Sequence, residues 1–258
     1  MNERFRQVSY AVADRSLRKV LSTPSLFLPP LIMPVIFFAA FAGGLSTLGR
    51  APGFDFPSGY TSFQFVFVLM QAAVFTGIFS GFGIARDFET GFGRRLMLAA
   101  PDRRAIVAGY VLGAIARALI SAVVVFAAGL IAGMRLDGSA LQIVLLFVLA
   151  MTFAGIGSLW AAGIAMRFRT IQAAPLMQVP IFLALFIAPV FVPLELLTGW
   201  ISAVAQYNPV TAFLEAGRGL ISGRPDGTLV AYAISLVMLA VLTVWSITGM
   251  RAAERAGA

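Results

Sequence analysis

Six stretches of this chain, residues 26–45, 63–85, 106–132, 141–166, 171–192 and 229–250, are apolar and long enough to cross a bilayer. That repetition constrains the fold more than any other feature. In hydrocarbon about 30 Å thick a helix of about 20 residues satisfies its own backbone hydrogen bonds, which an open strand cannot do. Charged residues make up only 12% of the chain, against about 25% in soluble domains. The expectation is therefore an all-α polytopic membrane protein with six transmembrane helices, forming a single domain over residues 1–258.

The segments between the runs give the rest of the plan. Residues 1–22 intersperse Arg4, Arg6, Arg15, Arg18 and Lys19 with Phe5, Val8, Tyr10, Val12 and Leu17, a pattern that predicts an amphipathic interfacial helix in the headgroup layer. The first apolar run exceeds a signal-peptide core and no small-x-small cleavage site follows it, so it is read as a retained helix. Thr23-Pro24 turns the chain toward that run. Pro29, Pro30 and Pro34 lie near its start, and Pro175, Pro180 and Pro189 interrupt the fifth run. Residues 193–223 are too broken to span twice and read as external re-entrant helices, with Trp200 and Tyr207 at interface depth.

Lysine and arginine are unevenly placed. Of 19, fourteen fall before the first run, between the second and third, after the fourth and after the sixth. Arg50, Arg135, Arg218 and Arg224 fall on the other side, and Arg117 lies within the third run. The positive-inside rule puts both termini on the cytoplasmic face. With the basic residues at helix ends, nucleic acid is not the expected partner; the lipid membrane is.

The most informative polar interruption is residues 86–104, between the second and third runs. Asp87 and Glu89 come first, then Thr90-Gly91, Arg94, Arg95 and Leu96, and Pro101 resets direction before the third run. On a short helix, acidic residues followed by basic ones suit the macrodipole. Composition alone allows an ordinary solvated loop with its own ion pairs equally well. The chain has no His, no Cys and one lysine, Lys19, and it carries no Gly-x-x-x-x-Gly-Lys-Ser/Thr loop. It therefore has neither the means to bind ATP by that device nor the parts of a common catalytic or zinc site.

Glu89-Thr90-Gly91 with Arg95-Leu96 and Pro101 resembles the first cytoplasmic loop of ABC-2 type transporter permeases. Tyr207-Asn208-Pro209 with Glu215-Ala216 and Arg218 resembles the Asn-Pro, Glu-Ala-x-Arg pattern that the family carries between its last two spans. The resemblance covers essentially the whole chain, and it is nearest to the drug-export, daunorubicin-resistance type. It implies that residues 86–104, Asp87 among them, form the coupling and gate helix, with Glu89, Gly91 and Arg94 carried over by position in the motif. It further implies a permease in a bacterial inner membrane, dimeric with itself or a related permease. Two copies of a separate ATPase would bind ATP and Mg, and this chain would take no cofactor. The cargo implied is a hydrophobic or amphipathic small molecule or lipid; polysaccharide or lipid-linked glycan is the alternative, and a non-transporting signalling or immunity module is a second.

Two features stay open on the residues alone. Arg117, near mid-membrane without an acidic partner in another run, either lines a path or dimer seam or snorkels to the inner interface. The many Phe of the first two runs either wall a cargo path or pack against helices and lipid.

Overall fold

The computed structural model describes residues 3–22, 32–50 and 52–256, and among these all regular structure is helical. The Thr23-Pro24 turn, Pro29 and Pro30 lie outside the described residues. In chain order the helices are α1 (Glu3–Leu21), α2 (Ile32–Gly43), α3 (Gly59–Glu89), α4 (Phe92–Ala99), α5 (Arg104–Ile131), α6 (Ala140–Phe168), α7 (Ala174–Ile187), α8 (Gly199–Ala205), α9 (Pro209–Ser222) and α10 (Thr228–Arg255). The helices α3, α5, α6 and α10 are long and apolar enough to cross a membrane, while α2 and the segment Ile171–Ile187 are shorter.

α3 is the axis of the bundle. It is apolar on every side, as a helix surrounded by others must be, and 89% of its most apolar window is buried against 17% for α10. Phe65 to Met70 are all inaccessible. Lipid tails are as apolar as the side chains, so association relies on backbones approaching closely at small residues. The α3–α6 crossing is built this way: a Cβ on Gly77 would collide with the Ala154 carbonyl and lie 2.8 Å from Ser158 N, and one on Gly157 would lie 2.7 Å from the Val74 carbonyl. Ser80 and Ser158 share a hydrogen bond of 2.8 Å across the same crossing.

Two boundaries differ from the sequence reading. The second run was expected to end at residue 85, but α3 continues through Glu89. Asp87 and Glu89 thus lie not in the first turn of a short helix but in the last turns of a long one, and at a helix C-terminus the macrodipole favours cations and not carboxylates. The fifth run is also shorter than expected. A tight turn over Ile171–Ala173 leads into α7, which stops when Ala188 turns extended (ψ 163°). Pro189 follows, and a residue before proline is pushed out of the helical region.

Residues 193–223 form a tight turn at Leu194–Leu196 followed by α8 and α9, with Trp200 and Tyr207 exposed. The α9 end of the bundle is laced together: Ser58 Oγ donates to Asp137 Oδ2 (2.7 Å), Ser62 Oγ to the Arg135 carbonyl, and the Asp137 and Gly138 amides to the Ile221 carbonyl.

Candidate functional site

The opposite end carries the Asp87–Arg104 segment. Thr90 Oγ1 donates to the Arg86 carbonyl (3.0 Å), closing α3, and Gly91 at φ +75° turns the chain into α4. Glycine takes that left-handed conformation without steric cost. α4 is amphipathic: Gly93 and Met97 face inward, Leu96 is half-buried, and Arg94, Arg95 and Leu98 are exposed. Pro101 is exposed in the next turn, where Asp102 accepts from the Arg104 amide.

Asp87 is the hub. Although 3% exposed, its carboxylate takes a two-pronged bond from Arg15 (Nη1–Oδ2 2.9 Å, Nη2–Oδ1 3.1 Å), one from Lys19 Nζ (2.9 Å) and one from Tyr110 OH (2.8 Å). These charge-assisted bonds offset both burial and the helix dipole. The hydrogen bond to Asp87 raises the Arg15 pKa against the opposing effect of burial. The Arg15 guanidinium also lies 3.6 Å over the Phe92 ring. One side chain of α1 thus touches the end of α3 and the start of α4. Arg18, singled out with Arg15 and Lys19, stays outside this hub and pairs with Asp14 at the surface, where such a pair contributes little.

Glu89 ties the segment to a second neighbour. Its Oε1 accepts from Thr170 Oγ1 and from the Ile171 amide, both at 2.8 Å. The amide bond, then the hydroxyl, holds this carboxyl below its usual pKa. Arg103 pairs with Glu254 of α10 at 3.0 Å. The α3–α4–α5 hairpin is therefore fastened to α1, to the α6–α7 turn and to α10.

α1 does not lie free on a surface. Ser9 Oγ donates to the Ala105 carbonyl (3.1 Å), and a Cβ on Gly109 would meet Val12 Cβ at 2.6 Å and one on Gly113 would meet Ser16 Cβ at 3.2 Å. The pairing rises together in both helices, so α1 runs alongside the first turns of α5 in a slot made by two glycines one turn apart. Arg117 ends that slot. It is 5% exposed and donates from Nη1 to Ser16 Oγ (2.7 Å) and to the Ser16 carbonyl (3.3 Å). Its side chain is thereby enclosed under α1. Arg117→Ala is expected to loosen α1 by about 1.5 kcal/mol, the low end for a hydrogen bond to a charged group. The check is thiol labelling of a Ser9→Cys reporter, which should quicken about tenfold.

At the α9 end, Asn208 caps α9: Oδ1 accepts from the Val210 amide (3.0 Å) and Nδ2 donates to the Ala184 carbonyl (2.6 Å). Pro209 occupies the first helical position, where its missing N–H costs nothing. Arg218, counted in the sequence among the cations of an outer loop, is instead 2% exposed inside the bundle. It pairs with Glu215 (2.8 Å), donates to the Val190 carbonyl (3.3 Å) and lies 3.4 Å over the Phe63 ring. Tyr207 stays exposed, apart from this cluster. The two motifs do not touch; Phe63 and Asp87 are about 36 Å apart along α3.

Most phenylalanines of the second run pack: Phe63, Phe65 and Phe67 are buried. A smaller row, Phe75 on Phe182 (6.2 Å) and Phe182 on Phe186 (4.4 Å), runs along α7. That helix buries only Met177 and Leu185 and exposes Leu176, Val179 and Leu183. Sequence reasoning missed Tyr110, Ser16 and the α1 slot. The readable signal was Gly109-x-x-x-Gly113, a close-approach motif inside an apolar run.

The profile of the family described as ABC-2 type transporter matches residues 7–221. The chain is similar to the daunorubicin resistance ABC transporter permease protein DrrB1 of Streptomyces coeruleorubidus. The two are 25% identical over 199 residues, covering 77% of this chain and 68% of the relative.

Proposed function

Because this chain belongs to the ABC-2 type transporter family, as a multi-pass membrane subunit of an ABC exporter that works with an ABC ATPase, we propose that α4 is the surface through which that ATPase drives it. The observation that carries this reading is the fastening of the hairpin. Asp87, Glu89 and Arg103 hold the hairpin that carries α4 against three neighbouring elements, while the outer face of α4, with Arg94, Arg95 and Leu98, has no covering partner among the described residues. A push on that face moves α3 and α5 together as rigid bodies.

The charge count supports placing the α4 end and both termini in the cytoplasm of a bacterium, with the chain in its inner membrane. ATP and Mg would be bound by two ATPase copies, none by this chain. A second copy, or a related permease, would cover the exposed apolar face of α7. The Phe75–Phe182–Phe186 row beside that face suits a hydrophobic or amphipathic small molecule or a lipid, in line with the name of the relative.

The test is co-expression with a partner ABC ATPase. Leu98→Asp with Arg95→Glu should cut copurified ATPase about tenfold, a loss of about 1.4 kcal/mol in docking, at unchanged membrane level. Glu215→Gln, at the far end, should leave the complex intact. Undiminished copurification from the α4 variant would sink the docking role.

Glu89→Ala, which removes the acceptor oxygen, gives a finer test. Glu89 is exposed and its bonds to Thr170 and Ile171 join α3 to the base of α7. The variant should keep its membrane level and bound ATPase yet lose most cargo stimulation of ATP hydrolysis, measured in reconstituted vesicles.

A further inference from the structure

We propose that the outer groove bounded by α1, α5, α6 and α10 is a binding site for an anionic phospholipid of the surrounding bilayer, with the headgroup phosphate on Arg6 and Arg104. This inference rests on the chain being membrane-embedded and not on the coupling role of α4. The groove encloses about 1040 Å³, and its wall is apolar along α5 and α6. Val107, Val111, Leu112, Ile115 and Leu119 line it from α5. They extend about 18 Å along the helix axis, close to the roughly 15 Å of one leaflet's hydrocarbon.

Its charged lining is confined to one end and to one sign. Arg6 and Arg104 both line it and no carboxylate does. Neither guanidinium has an ion-pair partner among the described residues, whereas Arg15, Lys19, Arg103 and Arg218 do. Tyr10, also in the lining and 62% exposed, adds a hydroxyl at the same end. Two unpaired cations and a phenol above an apolar slot of leaflet depth match a phosphodiester carrying acyl chains.

A second copy of the chain is a poorer fit. A two-fold interface on this face would set the patch against itself, bringing both arginine pairs together without an anion between them. A phospholipid supplies that anion, and two arginines near the surface favour an acidic headgroup by a free energy that amounts to about tenfold or more. Because α1 forms one wall, the lipid would brace α1 against α5 beside the Asp87 hub.

The experiment uses the full chain, extracted in mild detergent and equilibrated with equimolar dioleoyl-phosphatidylglycerol and dioleoyl-phosphatidylethanolamine. Bound lipid is counted by native mass spectrometry. The expected result is about tenfold preference for phosphatidylglycerol in the parent, falling to near parity in R6Q/R104Q. In R251Q/R255Q, which removes the same charge outside the groove, the preference should persist. Leu112→Trp, which fills the slot with both arginines intact, should lower retention of bound lipid, and thermal unfolding confirms that each variant is folded. An unchanged preference in R6Q/R104Q, an equal fall in both arginine pairs, or disulfide dimers of a Leu112→Cys variant in the native membrane would each overturn the proposal.

Discussion

Asp87→Asn is expected to free the N-terminal helix from the bundle. The substitution keeps the shape but removes the one anion that neutralises Arg15 and Lys19. Breaking a buried pair from one side costs about 3–5 kcal/mol. Both cations are 36% exposed in their side chains and can rehydrate in part, so about 2 kcal/mol is the better expectation. That corresponds to a roughly 30-fold rise in the open population. Ser9 is 3% exposed against α5 and the chain has no cysteine, so a Ser9→Cys reporter reads this opening without background. Labelling should rise by about that factor, and export should fall in proportion to the share of chains no longer closed. Parental labelling with full export would mean that the hub neither seats α1 nor matters to transport.

The second large effect is expected at Gly77, and its direction is the informative part. Gly77 and Gly83 lie in the same helix, and alanine in a helix interior is favoured over glycine by about 0.5–1 kcal/mol. At Gly83 an added Cβ meets nothing within 4 Å, so Gly83→Ala should stabilise by roughly that amount. At Gly77 it meets the Ala154 carbonyl and the Ser158 amide. These are backbone atoms, which cannot rotate away as a flexible side chain would. Separating α3 from α6 breaks the Ser80–Ser158 bond as well. Overpacking costs about 1–3 kcal/mol and more where the backbone must move, so Gly77→Ala should cost about 3 kcal/mol or more. The measurements are the unfolding temperature in detergent and the membrane level of a fluorescent fusion. Equal behaviour of the two variants would show that the crossing is looser than the geometry implies.

The span plan was legible because apolar runs carry their own signal, and so were Gly91 and Pro101 as the corners of the hairpin. Asn208-Pro209 was readable too, since a capping side chain followed by proline announces a helix start. What the residues could not announce was pairing over distance. Arg15 and Lys19 share one face of α1, but nothing nearby says that their anion lies at position 87. The apolar count stopped at residue 85 because Arg86 follows, although helix geometry there is set by neighbours and not by hydropathy. Arg218 was misplaced for the same reason: its aromatic and carbonyl partners come from α3 and the segment after α7. Arg117 looked unpaired because its partner is a serine in the N-terminal helix, with no charge to find.

The seating of α1 also orders events in time. Its partners are residues 87, 105, 109, 110 and 117, so during synthesis this helix has no completed seat until the first turns of α5 have been made. At about 5–20 residues per second the wait is roughly 5–20 s. Throughout it, an amphipathic helix bearing Arg15 and Lys19 has only the membrane surface to rest on. The last clasp at the Asp87 end is thus closed by a helix made well before its seat. A nascent chain stalled before residue 117 should present that helix to quality control, and one stalled after it should not.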